Sequence, residues 1–90
     1  MRVRRASKVK WLTHFLLFKT REAADRGEQL IRAKTPFGCE IVDTGSGFVV
    51  SARQSAPLTE EYTESAAIQL AEIATQAGGT YDGSEVALQT

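Results

Sequence analysis

The sequence predicts an α+β domain with the element order βαββαβ. Three observations predict it. Short runs rich in β-branched and aromatic residues alternate with two longer stretches whose small and aliphatic residues recur at helical spacing. Threonines and glycines punctuate the two helical stretches where caps belong. The 90 residues hold one cysteine and 42% apolar residues, which suits one core built without a disulfide.

Residues 1–8 read as a basic flexible N-terminal tail, leaving 9–90 as a single domain. The opening Met1-Arg2-Val3-Arg4-Arg5 resembles the start of a signal peptide. The apolar run from Trp11 to Phe18 does not continue the resemblance, because Thr13 and His14 interrupt it and Lys19 and Arg21 follow it. No segment approaches the ~20 apolar residues of a membrane span. A lone cysteine suits a reducing compartment, so a cytoplasmic protein without membrane contact is expected.

Lys10 to Phe18 is too short for a helix and too aromatic for a loop, and gives the first strand. Thr20 is placed to cap a helix whose first turn holds Glu22 and Asp25. Ala23, Ala24, Gly27, Leu30 and Ile31 then recur on one face, and Pro36 and Gly38 stop the helix. Cys39 to Asp43 and Phe48 to Arg53 are strands, joined by a hairpin at Thr44-Gly45-Ser46-Gly47. Thr59, followed by Glu60 and Glu61, starts the second helix, with Ala66, Ala67, Leu70, Ile73, Ala74 and Ala77 on its apolar face. Gly78-Gly79 ends it, Asp82-Gly83 reads as a tight turn, and Glu85 to Gln89 is a short closing strand.

Two right-handed crossovers around a central hairpin turn this order into a ferredoxin-like sandwich. The expected sheet is four-stranded, antiparallel and ordered 4-1-3-2, with both helices on one face. Phe48, Val50, Cys39, Ile41, Val86 and Leu88 are expected to face the helices. Glu40, Val42, Val49, Ser51, Arg53, Glu85 and Ala87 would then face away. Strand one is apolar on both sides, so either Trp11, Thr13, Phe15 and Leu17 or Leu12, His14, Leu16 and Phe18 must stand on the open face. Large apolar groups at the centre of an open sheet mark an interface. The candidate interface residues are Trp11, His14, Phe15, Phe18, Val49 and Arg53.

The stretch Gly78-Gly79-Thr80-Tyr81-Asp82-Gly83-Ser84-Glu85, placed after a helix, is the most specific pattern in the chain. With Thr13-His14-Phe15-Leu16-Leu17-Phe18, the alanine-rich first helix and Phe48-Val49-Val50, it resembles the RraB-like family, the regulators of ribonuclease E activity B. The similarity covers about residues 11–88. It departs at Ser84 and Phe48, where the family carries tryptophan. The resemblance implies a ferredoxin-like, non-enzymatic protein whose founding member binds an endoribonuclease and lowers its activity. The motif positions carried over are Gly78, Gly79, Tyr81, Asp82, Gly83 and Glu85, with His14, Phe15 and Phe18 from strand one.

Catalysis is not expected. His14 and Cys39 form the one nucleophile–base pairing on offer, and the expected sheet order puts a strand between them, roughly 9–10 Å across. One histidine and one cysteine cannot furnish a metal site, and no glycine loop opens a helix to hold a phosphate, so neither metal nor cofactor is expected. The expected partner is a protein, with an endoribonuclease implied by the resemblance and a second copy of the chain as another candidate. RNA is the alternative. Net charge is zero, but residues 1–34 hold ten Lys/Arg against three Asp/Glu, and residues 35–90 hold Arg53 against eight acids. A basic half attracts phosphates. Thr44 to Ser51 also aligns with the strand-three signature of RNA-recognition modules at Gly45, Gly47, Phe48 and Val49. It lacks the basic residue and two of the aromatics, and a glycine hairpin before an apolar strand accounts for the matches.

Overall fold

A computed structural model describes residues 9–54 and 59–88, and the tail assigned to residues 1–8 lies outside them. The elements are β1 (Val9–Phe18), α1 (Arg21–Lys34), β2 (Gly38–Asp43), β3 (Phe48–Gln54), α2 (Glu60–Ala77) and β4 (Thr80–Leu88). They build an antiparallel sheet ordered β2-β3-β1-β4, which is the expected 4-1-3-2 read from the other edge. Both helices pack against the same sheet face and against each other.

The helices begin and end where the sequence marks them. Thr20 accepts from the Ala23 N–H at 3.1 Å, and Thr59 accepts from the Tyr62 N–H at 3.2 Å. Each threonine satisfies a backbone donor that has no partner within its helix. Helix α1 closes with Thr35, whose N–H and hydroxyl both donate to the Ile31 carbonyl. Helix α2 closes with Gly78 in the left-handed conformation at φ 91°, and the Gly79 N–H reaches back to the Ala74 carbonyl at 2.7 Å. The last turn of α2 has no basic residue of its own. Arg26 of α1 donates to the Ala77 carbonyl and places a cation at that negative helix end.

Period-two alternation fills the space between helices and sheet. Leu16 and Phe18 of β1, and Val50 and Ala52 of β3, form one core with Ala23, Ala24 and Ile31 of α1 and Leu70, Ile73 and Ala74 of α2. Cys39, Ile41 and Phe48 are partly buried against this core, on the side the sequence assigns them. Phe18 fits because three neighbours have no side chain. A Cβ on Gly27 would come within 2.6 Å of its ring tip, one on Gly47 within 2.9 Å of its carbonyl oxygen, and one on Gly79 would fall on the ring and on the Leu17 carbonyl.

The last strand corrects the sequence expectation. β4 starts at Thr80, not Glu85, and Asp82-Gly83 is not a chain-reversing turn. Tyr81 pairs with Leu16 and Ser84 with His14, so Asp82 and Gly83 together oppose Phe15. This is a β-bulge, and Gly83 takes a φ of 96° within it. The positive φ expected at Gly83 is present. Its effect is to insert one residue into a continuing strand, because the pairing with the ten-residue β1 continues on both sides of it. The side chains of Val86 and Leu88 lie outside the description.

Candidate functional site: an open sheet face and a buried histidine relay

Strand β1 is central, and its alternation divides the candidate residues between two environments. His14 and Phe18 point to the helices and are 0% and 3% exposed, so neither reaches the surface as an interface residue would. Trp11, Thr13, Phe15 and Leu17 lie on the other face. There they join Val49 and Arg53, the remaining candidates, from β3.

On the buried side, His14 sits in a polar relay. Its Nδ1 is 2.8 Å from the Tyr81 hydroxyl, and its Nε2 is 2.9 Å from Gln54 Oε1. Gln54 is also 0% exposed. An amide oxygen can only accept, which assigns the proton to Nε2 and makes Nδ1 the acceptor for the Tyr81 O–H. Phe37 stacks on the imidazole at 6.1 Å between ring centres. Burial lowers the His14 pKa, and the Gln54 bond raises it in part, so the ring is neutral. Burial raises the Tyr81 hydroxyl, against an opposing effect of the Ser84 hydrogen bond. Both ring nitrogens are occupied and the ring has no exposed surface. The relay therefore ties β1, β3 and β4 together inside the core.

His14 and Cys39 both flank Ala52 on the helix side of the sheet, one from each neighbouring strand. Two strand spacings put them roughly 9–10 Å apart, beyond proton-transfer range. The Cys39 thiol lies 3.9 Å from the Glu28 carbonyl, and burial raises its pKa, with Arg32 opposing and Glu28 adding to the shift. Among the described residues no group of three or more His, Cys, Asp and Glu is placed to hold a metal. Among them, too, no helix is long and apolar enough to cross a membrane.

The motif Gly78–Glu85 resolves into separate structural duties. Gly78 caps α2, Gly79 admits Phe18, Tyr81 holds His14, and Asp82-Gly83 form the bulge. Glu85 is exposed on the open face beside Thr13. Sequence reasoning missed Gln54 and Phe37. Gln54 had a signal: it continues the inward positions 48, 50 and 52 of β3, and an inward amide needs an inward polar partner such as His14.

The open face has two zones. Toward the β2–β3 hairpin, Leu17, Val49 and Val42 form one cross-strand row, with Phe15 in the next row. Leu17 is 38% and Val42 47% exposed. Toward the other end, the Arg53 guanidinium lies 4.8 Å from the centre of the Trp11 ring. Thr13, Glu40, Ser51 and Arg53 bound a shallow depression that reaches Gly38 and Cys39 at the β2 edge. No described element covers this face. The basic residues of α1 are largely engaged within the protein: Arg21 pairs with Asp25, Arg32 with Glu28, and Arg26 caps α2.

No protein family, curated protein or solved structure matches this chain.

Proposed function

We propose that this chain is a small, non-catalytic regulatory domain of ferredoxin-like fold that works by binding another protein through the open face of its sheet. The observation that carries the reading is the apolar row Leu17–Val49–Val42, with Phe15 beside it, which no described element covers, toward the hairpin end of a sheet whose other face packs against both helices. Apolar surface in that position gains free energy when a partner excludes water from it. The similarity to the RraB-like family supports the same reading, and makes an endoribonuclease a candidate target.

RNA binding is the second reading, favoured by the two aromatics Trp11 and Phe15 on a central strand. Three features weigh against it. β3 presents Val49 and Ser51 where stacking rings would stand, Arg53 already lies over Trp11, and three α1 arginines have internal partners.

The test is capture of partners by the immobilised full chain, with and without nuclease, repeated with Phe15→Asp. The expected result is protein capture that survives nuclease and disappears with Phe15→Asp. RNA capture that Phe15→Asp leaves intact and that falls steeply with salt would overturn the reading.

A further inference from the structure

Among the described residues, three charged side chains on the open face have no ionic partner. Arg53 and Glu85 both flank Thr13 in one cross-strand row, and Glu40 lies in the next row, opposite Ser51. The ion pairs among the described residues are Arg21–Asp25 and Arg32–Glu28, both on α1, and they involve none of the three. The face therefore offers an apolar row at one end and both signs of charge at the other.

We propose that the open sheet face is the contact between two copies of this chain, packed sheet on sheet with Arg53 of each copy against the carboxylates of Glu40 or Glu85 of the other. The inference rests on the protein-interface reading above and commits it to one partner. Charge complementarity selects that partner. A uniformly acidic protein would meet Glu40 and Glu85, and a uniformly basic one would meet Arg53. A second copy brings a carboxylate for each guanidinium and a guanidinium among each carboxylate set. In a two-fold pair the same patch serves both sides, so one surface must carry its own complement. The chain as a whole has zero net charge at neutral pH, so two copies approach without mutual repulsion.

The area sets the strength. Four strands about 4.8 Å apart, along a ladder about 23 Å long, give roughly 440 Å² of sheet per copy in projection. Two such faces make a small interface beside those of obligate dimers, which bury about 2,000 Å² of accessible surface or more. The pair is therefore concentration-dependent, and the stacking of Arg53 on Trp11 helps by holding the guanidinium in place before contact.

The experiment is light scattering on the full chain from low micromolar to millimolar concentration, with circular dichroism to show that each variant is folded. The wild type should pass from monomer to dimer in that range. Phe15→Asp should remain monomeric. Arg53→Glu, and separately the double change Glu40→Lys with Glu85→Lys, should each weaken self-association at least about tenfold. Mixing these two variants should restore a dimer, because one face is then all acidic and the other basic. A folded wild type that stays monomeric throughout, or a mixture no stronger than either variant alone, overturns the proposal. If the wild type is monomeric but protein capture still fails with Phe15→Asp, the second-copy assignment falls and the interface reading stands. If capture is indifferent to Phe15→Asp, the interface reading falls as well.

Discussion

The buried relay makes stability depend on pH in a narrow and assignable window. His14 is the one histidine in the chain, and histidine is the side chain whose ordinary pKa falls between pH 5 and 8. Unfolded, its imidazole titrates around 6.5. Folded, burial holds the pKa lower. Below pH 6.5 the unfolded chain binds a proton that the folded chain refuses. Proton binding then favours unfolding, so the stability is fully present above 6.5 and is lost as pH falls toward the folded pKa. One proton sets the slope at no more than about 1.4 kcal/mol per pH unit, so the loss from pH 6.5 to 5 reaches at most about 2 kcal/mol. Urea unfolding at fixed pH values across that interval measures it, and His14→Gln should flatten the slope while lowering stability throughout. An NMR titration of the His14 ring in the wild type gives the same answer without mutation: its midpoint should lie below pH 6.5. A ring that titrates at or above 6.5, or a slope unchanged in His14→Gln, would refute the neutral relay.

The glycines separate two kinds of constraint. Gly79→Ala should cost about 3 kcal/mol, the upper end of overpacking, because the new Cβ meets the Leu17 backbone as well as the Phe18 ring. Gly83→Ala has open space and only its positive φ against it, so about 1 kcal/mol is expected. Chemical denaturation ranks the two, and a larger loss at Gly83 would contradict the packing argument. Tyr81→Phe should cost about 1–2 kcal/mol, because it leaves the His14 Nδ1 buried without a donor. The same melts check it, and an unchanged midpoint would show that the bond contributes nothing net.

Most of the fold was legible because its signals are local. Thr20 and Thr59 act through hydroxyls on N–H groups three residues along, Gly78 acts through its own backbone, and the alternation of β3 needs only its own period. The start of β4 was not legible. Asp-Gly has the same local preference in a tight turn and in a bulge, and the pairing of Tyr81 with Leu16, distant in sequence, decides between them. The orientation of β1 was hidden for a related reason. Both of its faces are apolar, so the one-residue choice that buries His14 is made by its partners Gln54 and Tyr81. Four of the six candidate interface residues, Trp11, Phe15, Val49 and Arg53, stand on the open face, and His14 and Phe18 lie in the core.

The chain contains one tryptophan, and it stands on the open face under Arg53. The tryptophan emission of this protein, excited beyond the absorption of Tyr62 and Tyr81, therefore reports on a single surface. Whatever settles there strips water from the indole or draws the guanidinium off it, and either event changes the spectrum. A molecule held by the outer sides of α1 and α2 leaves the indole as it is. The protein thus carries its own optical probe at the place where its contacts are proposed, and occupancy can be followed in the unmodified chain without a label.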